Sequence, residues 1–294
     1  MQNINFLTKL TNIENTNRLS FLITITFFFV VFYVSFFHHL IFTEPDGIFY
    51  YLAGEEILKG NAENVILSGS SIAGPILHAF LGDLLGDGFL AGKIISLLGG
   101  TGIVFLSYFI TKNLFDHKVA LLTQLFFAVN AKIILLSVMV LNEIPPLFFI
   151  IISLYFATKK QKRTSDFLLV GLFLGISFSF RYQSIIVLFA FLIFLLIFER
   201  KKILKLKQSL LTSFSFLLTI SPVLLYTFVT YGKLFTGKSN LYILLSFKFQ
   251  TEQWHTKIEE IIDDGLISAF YIDPNLFLKN YFYNLFYHNP DHLF

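Results

Sequence analysis

The chain has 294 residues, of which 55% are hydrophobic and only 14% charged, and its mean hydropathy is +0.71. A soluble domain of this length needs more charge to cover its surface, so a water-soluble globular fold is excluded. The net charge of +3 is small and the basic residues sit in clusters beside apolar runs, which excludes a nucleic-acid groove; the absence of cysteine excludes disulfides, thiolate metal sites and a cysteine nucleophile.

The apolar residues come mostly in runs of about 17 to 25, the length that crosses ~30 Å of hydrocarbon as a helix, and the fourth, fifth and sixth of the runs given below are shorter. They stand side by side, as in Phe27-Phe28-Phe29-Val30-Val31-Phe32, where a barrel strand would alternate. The expected fold is all-α: a polytopic membrane helix bundle with juxtamembrane helices on its outer face. In chain order the pattern predicts seven transmembrane helices, at Leu19 to Phe42, Phe89 to Thr111, Val119 to Met139, Ile144 to Ala157, Phe167 to Phe180, Ser184 to Phe198 and Ser209 to Tyr231. The first run is too long for a signal-peptide core and lacks a small-residue cleavage site, so it reads as a retained helix.

Short cytoplasmic loops collect Lys and Arg. A cytoplasmic N-terminus puts Lys9, Arg18, Lys112, Lys118, Lys159, Lys160, Lys162, Arg163, Arg200, Lys201, Lys202, Lys205 and Lys207 all inside. The outer side then receives two long polar segments, 43–88 and 232–294, and two tight turns, around Asn142-Glu143 and Arg181. Residues 1–231 thus read as a transmembrane module carrying an acidic outer loop, and residues 232–294 as an outer C-terminal segment of truncated or minimal form. Within the outer loop, Ile48 to Lys59 reads as an interfacial helix whose apolar face carries Ile48, Tyr51, Leu52, Ile57 and Leu58, and Ile72 to Leu85 as a second interfacial or re-entrant helix. Thr251 to Asp264 and Leu276 to Tyr287 read as further helices. Gly82-x-x-x-Gly86, Gly171-x-x-x-Gly175 and Gly99-Gly100-Thr101-Gly102 read as close helix packing, since no Lys-Ser/Thr follows them to make a phosphate loop.

Three places can carry chemistry. In Glu44-Pro45-Asp46-Gly47, just outside the first span, Asp46 is either a general base or the N-cap of a helix starting at Gly47. In Asn142-Glu143-Ile144-Pro145-Pro146, Asn142 reads as a cap and the prolines suit a first helical turn, yet an acid at the membrane entrance keeps a functional reading for Glu143. Arg181 stands on the outer side against the positive-inside trend, where it either holds a lipid phosphate or snorkels to headgroups. His38, His39 and His78 lack metal spacing and read as interfacial histidines. Lys132 is the main candidate for a charge buried within a span.

The order of these features resembles the GT-C glycosyltransferase superfamily, in particular its dolichyl-phosphate-mannose protein mannosyltransferase and aminoarabinose transferase branch. The resemblance rests on Glu44-Pro45-Asp46 with Tyr50-Tyr51-Leu52-Ala53 after the first span, on Gly74-Pro75-Ile76-Leu77 and on Tyr108 to Lys118. Asn142-Glu143-Ile144-Pro145 and Tyr231-Gly232-Lys233-Leu234-Phe235 complete it. Glu-Pro-Asp stands where the family has an Asp-Glu pair, and the second acid is Glu rather than Asp. The resemblance implies a membrane glycosyltransferase, a hexosyl- or pentosyltransferase moving a sugar from a polyprenyl-phosphate donor to a protein, lipid or glycan acceptor on the extracytoplasmic face of the cell membrane. It implies Asp46, Glu44 and Glu143 as catalytic residues, Arg181 as the donor-phosphate ligand, and Tyr50, Tyr51 and His78 as substrate-binding residues. Membrane lipids are expected partners, nucleic acid is not, and a divalent cation is the candidate cofactor. A transporter or lipid flippase, or a noncatalytic membrane subunit, is the alternative; a transporter keeps its charges near the bilayer midplane, where this chain has few.

Overall fold

The computed structural model describes residues 13–37, 45–61, 71–198, 202–232, 234 and 270–283, with residues 13, 14, 45, 46 and 202 described by their backbone. Every regular element among them is helical: α1 (Ile13–Phe37), α2 (Pro45–Leu58), α3 (Ala73–Leu85), α4 (Gly88–Leu114), α5 (His117–Val129), α6 (Ala131–Val138), α7 (Ile144–Thr158), α8 (Thr164–Phe180), α9 (Ile185–Phe198), α10 (Lys202–Tyr231) and α11 (Pro274–Tyr283), with a 3-10 turn at Tyr182–Ser184. The chain divides into two compact units, and α11 belongs to the second, which takes in Thr236–Phe294. There Asp273 caps the helix by accepting from the Leu276 amide at 2.9 Å. The expected helix Thr251 to Asp264 lies outside the described residues.

Within the first unit, small and polar side chains share the helix contacts with two buried apolar clusters, one around Phe27, Val31 and Val104 and one around Leu174, Phe178 and Phe216. The side chains of α1 that face its neighbours include Thr16, Ser20, Thr24 and Ser35 beside Phe27 and Val31, whereas Phe21, Leu22, Phe29, Tyr33 and Phe37 point outward. Lipid tails are as apolar as leucine, so side-chain packing, close backbone approach and interhelical hydrogen bonds hold the helices together. Gln124 of α5 does this: its amide nitrogen donates to the Ser20 carbonyl at 3.1 Å and to Thr24 Oγ1 at 2.9 Å on α1. On α8, Gly171 and Gly175 lie directly against the α10 backbone at Thr212 and Phe216, a contact that side chains there would prevent. Thr212 and Ser215 donate hydroxyl hydrogen bonds to the α8 carbonyls of Phe167 and Leu168, at 3.2 and 2.7 Å. The expected helix-packing role of these glycines is thereby met.

Helix starts follow the sequence chemistry. Asp87 accepts from the amides of Phe89 and Leu90 to start α4, and Asp116 from those of Lys118 and Val119 to start α5. Asn130 caps α6 through the Ile133 amide, at the break where α5 and α6 meet with a 55° bend. Lys132 stands beside this break with its side chain on the bundle surface.

Each expected span coincides with a helix or, for Val119 to Met139, with the bent pair α5–α6. Three helices, α1, α4 and α10, are long and apolar enough to cross a membrane, and the bent pair makes up to four. The other three, α7, α8 and α9, are apolar but only 14 to 17 residues long. The chain is a multi-pass helical membrane protein. Pro222 inside α10 fits this setting, since membrane helices tolerate proline where neighbours re-satisfy the freed carbonyl.

Contacts along the helices define two ends of the bundle. α4 and α7 run side by side in one direction, with Gly99 against Ile144, Gly102 against Phe148 and Phe109 edge-on to Tyr155. α8 returns antiparallel to α7, with Ser177 Oγ donating to the Pro146 carbonyl at 2.8 Å near one end and Lys159 paired with Asp166 at 2.9 Å at the other. α2 and α3 lie at the first of these, the Glu143 end. The N-termini of α1 and α10 lie at the second, the Lys159 end.

Candidate functional site at the Glu143 end

The outer loop's first helix runs from Pro45, so Asp46 sits in its first turn and the expected cap position before Gly47 is corrected. Much of the apolar face expected at the interface is turned away from the protein, while Ile57 packs inward. Gly47, Tyr50, Ala53, Gly54 and Ile57 pack inward, while Ile48, Leu52 and Leu58 are exposed. The i, i+3, i+4 stripe that packs is the one carrying glycines, because Gly54 sits against the Pro75 backbone of α3 and Gly47 against Val140. Tyr51 spans the same seam: its ring covers Gly82 and Gly88, and its hydroxyl donates to Glu55, which also pairs with Lys59 at 3.1 Å. That hydrogen bond, then Lys59, holds the Glu55 carboxyl below the usual carboxylate range.

The contact of Gly47 with Val140 sets the start of α2 against the chain three residues before Glu143. Glu44 lies outside the described residues. Asn142 is fully buried and does not cap α7; its Nδ2 donates to the Phe180 carbonyl at 3.2 Å, tying the start of α7 to the end of α8. The expected cap role is corrected, and Glu143 itself stands at the N-cap without a side-chain cap bond. Pro145 and Pro146 do occupy the first turn of α7, where missing N–H groups cost little.

Arg181, the first residue past α8, donates from its guanidinium to Glu143 Oε1. Both side chains are about one-third exposed. The second carboxylate oxygen, Oε2, is buried with no hydrogen-bond partner, and so is Asn142 Oδ1, which lies against Gly74 of α3. One turn further along the same face of α3 comes His78, 1% exposed, its ring against Gly92 of α4 and 6.0 Å from the Tyr50 ring. Neither ring nitrogen has a partner, and burial pushes its pKa down to about 4, so the imidazole is neutral at ordinary pH. This corrects its reading as an interfacial histidine. His38 and His39 lie outside the described residues.

Buried polar atoms are almost always satisfied in folded proteins, and each exception costs about 1–3 kcal/mol. Four of them, Glu143 Oε2, Asn142 Oδ1 and both His78 nitrogens, gather where α2, α3, α4 and α7 meet. Lys93, which the sequence reading passed over, adds a cation one turn into α4; its ammonium donates to the Ser35 carbonyl at 2.8 Å and lies over the Phe36 and Phe89 rings. A lysine a few residues past an acidic segment at a predicted outer boundary was the signal available for it. Among the described residues no three acidic or histidine side chains converge as a metal site.

The family model of dolichyl-phosphate-mannose-protein mannosyltransferases matches residues 70–226, more than half of the chain, and the protein belongs to that family, whose members are membrane glycosyltransferases of the GT-C type. No curated protein and no solved structure matches the chain.

Proposed function

We propose that the protein transfers a sugar from a polyprenyl-phosphate donor to an acceptor hydroxyl at the Glu143 end, on the extracytoplasmic face of the cell membrane. The observation that carries this reading is the Glu143–Arg181 pair, reached from the α2 start that bears Asp46. The acceptor oxygen attacks the anomeric carbon, the bond from that carbon to the phosphate oxygen breaks, and the lipid phosphate leaves with the electron pair. Asp46 takes the acceptor proton. Arg181 uses one guanidinium nitrogen on Glu143 and keeps further N–H groups for the departing phosphate, so Glu143 fixes the cation that neutralises the developing charge. Glu44 assists the carboxylate cluster, a divalent cation being the candidate it and Glu143 would hold. Tyr50 and His78 line the acceptor side, where a neutral imidazole offers one donor and one acceptor to sugar hydroxyls; Tyr51 holds α2 against α3 and α4.

The N-terminus is cytoplasmic in this reading, because the Lys159 end collects the basic loops. With no native cysteine, Lys160→Cys and Gln183→Cys report the orientation directly. In intact cells a membrane-impermeant thiol reagent should label position 183 and spare position 160, and the opposite pattern would overturn the assignment. Membranes carrying the protein should release lipid phosphate from labelled polyprenyl-phosphate sugar; no release with any sugar above control membranes would remove the transferase reading.

A further inference from the structure

The Lys159 end carries a second feature that sugar transfer does not use. A cavity of about 380 Å³ opens between the 159–163 turn, the start of α8 and the first turns of α10. Lys160, Lys162, Arg163 and Lys207 line it, and among the described residues no acidic residue does. The neighbouring acid is already engaged: Asp166 accepts from Lys159 at 2.9 Å and from the Arg163 amide at 2.7 Å. A smaller cavity of about 170 Å³ shares Lys162 and Gln208 with the first and is otherwise walled by Phe194, Leu195 and Phe198 of α9. Phe194 and Phe198 are themselves exposed on the helix surface.

The positive-inside tendency accounts for basic residues in this turn, and it is indifferent to their arrangement. It does not call for four cations around one concavity, nor for an apolar slot continuous with it. The pairing of a cationic mouth with an aromatic slot matches an amphiphile with an anionic head and a hydrocarbon tail. α10 is one of the helices long enough to cross the membrane, so its first turns lie at a membrane surface, where basic pockets between helices collect anionic head groups.

We propose that this cavity is a binding site for an anionic glycerophospholipid, its phosphate among Lys160, Lys162, Arg163 and Lys207 and one acyl chain along Phe194 and Phe198. The lipid joins α8, α9 and α10 at the end opposite the transfer site. Its occupancy is independent of the transferase reading.

The test uses the purified full chain in neutral detergent, titrated with dioleoyl-phosphatidylglycerol, with dioleoyl-phosphatidylcholine and with glycerol phosphate. Bound lipid is read by native mass spectrometry and the thermal midpoint by unfolding. Phosphatidylglycerol should remain bound and raise the midpoint; phosphatidylcholine and glycerol phosphate should do neither. The variant Lys162→Gln/Arg163→Gln/Lys207→Gln should bind phosphatidylglycerol at least tenfold more weakly, while Lys118→Gln, which removes an exposed cation at the same end but outside the cavity, should bind it like the wild type. Should the triple variant fold poorly, Lys162→Gln alone should give a several-fold loss. Phe194→Ala/Phe198→Ala should weaken phosphatidylglycerol as well. Equal binding of the two lipids, equal loss in Lys118→Gln, or full competition by glycerol phosphate would each overturn the proposal.

Discussion

The hairpin of α7 and α8 has an ion pair at each of its ends, and the two differ in how completely they are satisfied. At one end Asp166 is buried, accepts from Lys159 and from the Arg163 amide, and stands at the positive N-terminus of α8. Burial works against its charge, yet those hydrogen bonds outweigh it and hold the carboxyl below its ordinary range. At the other end Glu143 uses one oxygen on Arg181 and leaves the other buried without a partner, beside the unpartnered Asn142 oxygen and the bare nitrogens of His78. Helix dipoles favour both pairs, so they do not explain the difference. A saturated pair holds structure, whereas an unsaturated one keeps hydrogen-bonding capacity for something that arrives later.

That contrast can be broken by substitution. Arg181→Ala should lower sugar transfer by about 10² to 10³-fold, the scale for losing one group that stabilises developing charge, with the protein still inserted in the membrane. Asp166→Asn should do the reverse, costing about 2–3 kcal/mol in a detergent unfolding series while transfer per folded molecule stays near the wild-type level. If Asp166→Asn abolished transfer in well-folded protein, the two ends would not be functionally distinct.

Acid separates them further. Asp166 has a depressed folded pKa, so its contribution is present through neutral pH and is lost only as pH falls through that low value. His78 titrates earlier. With a folded pKa of about 4 against about 6.5 when exposed, the unfolded chain binds a proton that the folded chain refuses between those values. Stability should be level above pH ~6.5 and fall by about 2 kcal/mol between pH 7.5 and 5. His78→Gln should flatten that slope, and an unchanged slope would show that His78 is not the group responsible.

Much of the bundle was legible in the sequence because a membrane span is written as length and apolarity together. Every expected span fell on a helix or on the bent pair. The sequence could not say which side of a helix faces its neighbours. In water, apolar residues mark the buried face, but in lipid both faces are apolar, and nothing in the sequence marked Gly47 and Gly54 as the residues that pack. The same ambiguity hid His78, whose burial depends on Gly92 of another helix. Glu143 and Arg181 were each conspicuous as charges out of place, yet their pairing spans 38 positions and no local pattern records it. Asn142 was misread because Asn before a proline-rich helix start resembles a cap, and only the packing of α8 supplied the carbonyl it bonds instead.

The account stands most directly on Asp46, whose backbone adjoins the Gly47–Val140 contact beside the unsaturated pair. Asn keeps the size of Asp and much of its hydrogen-bonding capacity, so Asp46→Asn should insert and fold normally. With labelled polyprenyl-phosphate sugar and equal amounts of folded protein, the account predicts a fall in transfer of about 10²-fold or more, the scale for losing a general base. Full activity in Asp46→Asn would contradict it and remove Asp46 from the mechanism.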